Sequence, residues 1–182
     1  MGNWFVGFPF VTSDPLPAPP TDFTRFHGDD LHITLAFLGG CGEGAARRAW
    51  RATLEAVEAG LLVRRRVTLG EVVPLGPTHR FSALSARLDE GRAEVEATMT
   101  RTRDPICDAA GAARELRPAL AHVTLARPAR GASAERRHEG LVWAAALDLR
   151  AVRADLGEVS LYARADPGAD ARFRRIETLR LP

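Results

Sequence analysis

The sequence predicts an α+β protein in a single domain, and three observations carry that expectation. The chain has 182 residues, the size of one domain or of two small lobes sharing a core. Its composition, 46% hydrophobic and 26% charged, is that of a globular protein and excludes a disordered or fibrous chain. Its apolar residues fall into about seven short strand-like runs and two runs of helical period.

Taken in order, residues 4–11 read as a strand, rich in aromatic and β-branched side chains. Residues 12–28 hold Pro15, Pro17, Pro19 and Pro20 and read as a loop, since proline removes the donors a helix needs. Residues 31–38 form a strand closed by Gly39 and Gly40. Residues 43–59 read as an amphipathic helix, with Ala46, Ala49, Trp50, Thr53 and Val57 on one face. Residues 67–75 and 80–88 are two strands joined by a turn at Gly76-Pro77. Residues 90–103 form a second helix, stopped by Asp104-Pro105. A strand follows at 120–127, ended by Pro128, and residues 143–149, 157–163 and 173–181 read as three more.

Composition also limits the chemistry. All 25 basic residues are Arg, against 23 acidic ones, a net charge of +2. A balance this even allows nucleic acid to bind only through a local patch. The absence of Lys excludes a P-loop lysine, a Schiff base and a lysyl-adenylate. Cys41 and Cys107 form neither a disulfide framework nor a zinc finger and suit a reducing compartment. The first residues lack the features of a signal peptide, and no apolar stretch is long enough to span a bilayer. A cytoplasmic protein that binds no membrane is expected.

Two segments repeat one pattern. Leu31-His32-Ile33-Thr34-Leu35-Ala36-Phe37 resembles Ala121-His122-Val123-Thr124-Leu125-Ala126-Arg127. Strand side chains alternate between faces, so Leu31, Ile33, Leu35 and Phe37 are expected in the core, with Val123 and Leu125. His32, Thr34 and Ala36 then share the other face, as do His122, Thr124 and Ala126. A single His on a strand is ordinarily a solvent-facing polar residue. Two copies of the same pattern are hard to read that way. His27, His79 and His138 have no such context and read as surface residues.

Zinc would need a third protein ligand, and Ala36 and Ala126 fill the next positions, so no metal is expected. There is no G-x-S-x-G elbow for a serine nucleophile. General acid–base catalysis fits better. Two imidazoles with pKa values near neutrality supply one acid and one base, one on each side of a phosphoryl group. Thr34 and Thr124 can donate to its non-bridging oxygens, and Arg127 adds a fixed positive charge. In a strictly regular strand Arg127 would point away from His122, so the strand must end or twist there.

The residues 30–39 and 122–127 resemble the two His-x-Thr motifs of the 2H phosphoesterases, and most of all those of the bacterial RNA 2′,3′-cyclic phosphodiesterases, also called 2′-5′ RNA ligases. Residues 4–9, 159–162 and 173–181 are similar to that family's first strand and closing hairpin. The resemblance implies a bilobal fold over residues 1–182, with two pseudo-symmetric lobes, two antiparallel sheets forming a central cleft and helices outside. It implies hydrolysis of an RNA 2′,3′-cyclic phosphate end to a 2′-phosphate, with His32 as proton donor and His122 as proton acceptor. Thr34, Thr124 and Arg127 would bind substrate, no cofactor would be needed, and the protein would act as a monomer without a protein partner. The chain departs from the family in having a short Pro-rich segment before the first motif, and Ala121 where Pro is common. Other readings are a 2H enzyme for small cyclic phosphates or 2′-5′ oligonucleotides, or a non-catalytic RNA-binding module using Arg64, Arg65 and Arg66 or Arg172, Arg174 and Arg175. With an acid–base mechanism, EDTA is expected to leave hydrolysis of a cyclic phosphate unchanged. Loss of turnover in EDTA, restored by zinc, would overturn the two-imidazole mechanism.

Overall fold

The computed structural model describes residues 2–26, 28–166 and 168–182. In chain order the elements are β1 (Trp4–Pro9), β2 (Phe23–Arg25), a 3-10 turn (Gly28–Asp30), β3 (His32–Gly39), α1 (Glu43–Glu58), β4 (Arg65–Pro74), β5 (Leu84–Leu88) and α2 (Arg92–Ala110). They continue with β6 (His122–Pro128), α3 (Ala134–Ala146), β7 (Arg153–Leu156), β8 (Glu158–Arg164) and β9 (Phe173–Arg180). Two antiparallel sheets result, ordered β3-β1-β8-β9 and β2-β6-β5-β4-β7. The α+β class and the two antiparallel sheets are as expected, and one sheet curls into a half-barrel.

One continuous core joins the sheets. It takes Val6 and Ile33 from the first and Val67, Ala86 and Val123 from the second. The predicted face of α1 is buried in it, through Ala46, Ala49, Trp50 and Thr53. The helix α2 packs on α1 and along β3, the strand that carries His32.

Several expectations need correction. The second helix runs through Pro105 to Ala110. An interior proline costs a helix about 3 kcal/mol. Beyond it, Ile106, Cys107 and Ala110 lie at 0%, 2% and 6% exposure, and burying Ile106 alone stabilises by roughly 1.5–3 kcal/mol. Tertiary burial therefore outweighs the local stop. Of residues 143–149, expected as a strand, 143–146 form the last turn of α3 and 147–149 lie beyond it. Ser133 caps it, accepting a hydrogen bond from the Arg136 N–H, and Glu135 lies in its first turn. Gly140 faces the sheet with no Cβ, and the Phe23 ring fills that space. Residues 80–83 belong to the β4–β5 connection, closed by the Leu75 N–H on the Ala83 carbonyl at 2.8 Å. The short strands β2 and β7 were not expected. They exist through their pairing with β6 and β4.

Gly7 is central to the first sheet, paired with Thr34 on β3 and Ser160 on β8. A Cβ there would lie 2.8 Å from the Ile33 carbonyl oxygen, a backbone atom that cannot swing aside. Gly7→Val is expected to destabilise the fold by about 1–3 kcal/mol through this overlap. Urea denaturation measures it, and an unchanged midpoint would contradict the close approach.

Candidate active site

The strands β3 and β6 belong to different sheets but touch each other, and this brings His32 and His122 together. The two rings are held by the same device. His32 Nδ1 lies 2.6 Å from the Asp30 carbonyl oxygen, and His122 Nδ1 lies 2.8 Å from the Leu120 carbonyl oxygen. A carbonyl only accepts, so each Nδ1 carries the hydrogen. The neutral ring then keeps its lone pair on Nε2, the atom available for proton transfer.

The same β-bulge follows each motif. On β3, His32, Ile33 and Thr34 pair with Pro9, Phe8 and Gly7, and Ala36 then pairs with Val6, leaving Leu35 as the extra residue. On β6, His122, Val123 and Thr124 pair with Arg87, Ala86 and Ser85, and Ala126 then pairs with Leu84, leaving Leu125 extra. A bulge reverses the alternation beyond it. Ala36 and Ala126 are therefore buried, not beside the histidines as regular alternation predicts. Phe37, expected in the core, is 55% exposed. Arg127, its counterpart, emerges on the His122 and Thr124 side. Its charge reaches His32, where it helps lower the imidazole pKa.

The surroundings of the two rings differ. His32 stacks on Phe5 with centroids 4.5 Å apart, meets the edge of Phe173 at 5.4 Å and lies 5.5 Å from Tyr162. Burial, followed by the charges of His122 and Arg127, pushes its pKa down to about 4, against the supporting hydrogen bond to Asp30. His122 is also lowered by burial, and further by the charge of Arg117. Thr34 and Thr124 are both half-buried on the histidine faces. The Thr124 hydroxyl is tied to Ser85 Oγ at 3.1 Å.

Two site residues were missed as functional candidates. Ser85, fully buried on β5, orients Thr124, and only strand register could have found it. Asp30, 1% exposed, accepts hydrogen bonds from the Arg172 and Phe173 N–H groups at 2.7 and 3.0 Å. Its place two residues before His32 was the available signal. Arg127 lies over the Phe26 ring at 5.4 Å, and Arg172 lies over the same ring at 5.1 Å. Burial and the charges of Arg172 and Arg164 hold the Arg127 guanidinium below its ordinary pKa.

His79 and His138 are exposed, as expected, and His27 lies outside the described residues. Arg65 and Arg66 begin β4, separated from β6 by β5, and Arg64 just before it is paired with Asp155. Among the described residues no group of three or more His, Cys, Asp or Glu is placed to hold a metal ion. No described helix is long and apolar enough to cross a membrane.

No family model matches the sequence, and no curated protein sequence matches it. Solved structures do match along the whole chain. Escherichia coli LigT complexed with 3′-AMP superposes with a TM-score of 0.65 at 17% identity, covering 99% of this chain and 98% of that one. A structure described as a phosphoesterase gives 0.62 at 18% identity, over 100% and 99%. Kluyveromyces marxianus Usb1 gives 0.57 at 14% identity, over 99% and 97%. The chain has the 2H phosphoesterase fold. Within that fold the paired His-x-Thr strands β3 and β6 lie against each other.

The pKa of His32 makes the stability of this 2H fold pH-dependent. The unfolded ring titrates near 6.5 and the folded one near 4. As pH falls from about 6.5 to 4, the unfolded state gains a proton that the folded state does not, and stability is lost. The loss reaches about 3 kcal/mol at roughly 1.4 kcal/mol per pKa unit. Chemical denaturation at pH 7 and pH 4 measures it, and His32→Phe is expected to flatten the difference. An equally steep dependence in that variant would place the effect elsewhere.

Proposed function

We propose that the protein opens the 2′,3′-cyclic phosphate at an RNA 3′ end and leaves a 2′-phosphate. The observation that carries this reading is the pair of equivalent half-sites, in which two imidazoles brought together by β3 and β6 each offer Nε2 beside a threonine. In this mechanism His122 Nε2 takes a proton from water, whose oxygen attacks phosphorus. The bond from phosphorus to the 3′ oxygen breaks, and His32 supplies the proton that oxygen needs. Thr34 and Thr124 donate to the non-bridging oxygens, and Arg127 offsets the charge that builds there. Run backwards with a 5′-hydroxyl in place of water, the same groups make a 2′-5′ linkage without ATP. The free thiols Cys41 and Cys107 suit a cytoplasmic setting. The reading treats the chain as one domain of two lobes, one motif in each, active as a monomer.

One observation favours the opposite assignment of roles. At neutral pH both rings are neutral, and His32, enclosed by Phe5, Phe173 and Tyr162 beside Arg127, holds a proton less readily than His122. A donor role for His32 therefore depends on the phosphate of the substrate, whose negative charge near Nε2 raises the ring's pKa.

An RNA oligonucleotide with a cyclic phosphate end tests the reaction, and product analysis is expected to show a 2′-phosphate. His32→Ala and His122→Ala are each expected to slow turnover by at least ~100-fold. An aryl phosphodiester, bis(4-nitrophenyl) phosphate, separates the roles because its leaving group needs no acid. His32→Ala is expected to retain most of the wild-type rate on it and His122→Ala to lose it. The reverse pattern would exchange the two roles, and near-full RNA turnover in either variant would overturn the mechanism.

A further inference from the structure

A groove of about 1010 Å³ opens beside the two-histidine site. Phe26 and the segment Gly28, Asp30 and Leu31 form one side of it, and the connection between β8 and β9 forms the other. Phe26 links it to the catalytic strands, because the Arg127 and Arg172 guanidinium groups both lie over its ring. Arg25, Arg164 and Arg172 line the groove. The carboxylates along it are Asp30, Asp166 and Asp170. Asp30 is spent on the Arg172 and Phe173 N–H groups and is closed to solvent. Asp166 and Asp170 are exposed on the connecting turn.

Among the described residues no carboxylate lies within ion-pair distance of Arg127, Arg164 or Arg172. Elsewhere on the surface Arg47, Arg64, Arg114, Arg136 and Arg150 each have one. Guanidinium groups kept near one another without counter-ions repel; burial lowers the Arg127 pKa first, and the charges of Arg172 and Arg164 lower it further. An anion between them would relieve the repulsion. The groove suits an extended anion, since Arg25, Arg164 and Arg172 all line it.

We propose that the groove carrying Arg25, Arg164 and Arg172 is a second anion subsite, which holds the phosphodiester adjoining the reacting nucleotide, so that the enzyme prefers a cyclic phosphate on an oligonucleotide to one on a mononucleotide. This rests on the reading of the two-histidine site as a cyclic phosphodiesterase. Arg164 and Arg172 grip the chain, while Arg127, over the same Phe26 ring as Arg172, serves the reacting phosphate. Asp166 opposes the chain's charge and limits its affinity.

The test uses the full chain, and binding is measured separately from turnover. The binding probe is a fluorescent tetraribonucleotide with a 2′-phosphate at its 3′ end, followed by anisotropy. The turnover substrates are the same tetramer with a cyclic phosphate end and 2′,3′-cyclic AMP. Arg164→Gln is expected to weaken probe binding by about tenfold, as befits one charged phosphate contact. The slope of log affinity against log salt should fall by about 0.7. KM for the tetramer should rise in step with the affinity, while KM for 2′,3′-cyclic AMP moves less than twofold. Asp166→Asn is expected to tighten the probe. Equal effects of Arg164→Gln on tetramer and mononucleotide, an unchanged affinity, or no probe binding by the wild type would each overturn the subsite. Loss of probe binding in Arg164→Gln, in a wild type that hydrolyses neither cyclic phosphate, would uphold the subsite and overturn the phosphodiesterase reading instead.

Discussion

The site depends on one buried carboxylate. Asp30 is 1% exposed, and a polar group so placed is costly unless hydrogen bonds replace its water. It has two, from the Arg172 and Phe173 N–H groups. Its carbonyl meanwhile holds His32 Nδ1. One residue thus fixes the tautomer of the His32 ring and pins the start of β9 beside it. The Phe173 edge against His32 and the Arg172 guanidinium over Phe26 follow from that anchor.

The two half-sites share a design in their backbone and diverge in their surroundings. Each ring is tied to the carbonyl two residues before it, and each motif ends in a bulge at Leu35 or Leu125. The device orients Nε2 without help from another side chain, so the strand itself presents that atom. The divergence then sets the chemistry. Aromatic rings enclose His32 and remove its water, whereas the β6 side is polar, with Thr124 tied to Ser85. The bulge places Phe37 on one strand and Arg127 on the other at equivalent positions. One half-site therefore offers an exposed ring and the other a cation.

Much of this was legible in the sequence. The repeated His-x-Thr pattern marked the two strands, and alternation put His32 and Thr34 together, and His122 and Thr124 together, as they are. The buried face of α1 followed from its period, because helical spacing is a local property. Alternation failed from Ala36 and Ala126 onward, because a bulge adds a residue without changing the composition of a strand. The segment 143–149 looked like a strand because Trp143, Leu147 and Leu149 are apolar at alternating positions. The Ser133 cap and the fit of Phe23 against Gly140 made 143–146 part of a helix instead.

By itself the sequence determined where the paired His-x-Thr pattern lies, since two imidazoles and two hydroxyls at strand spacing are a local pattern. It also determined that no lysine takes part. Tertiary structure decided the rest. It decided that α2 continues past Pro105, because Ile106 and Cys107 reach the core. It turned Arg127 toward the histidines through a register shift against β5. It gathered Arg127, Arg164 and Arg172 from two sheets into one neighbourhood. Each of these depends on groups far apart in the chain, whose energies exist only once the strands have paired.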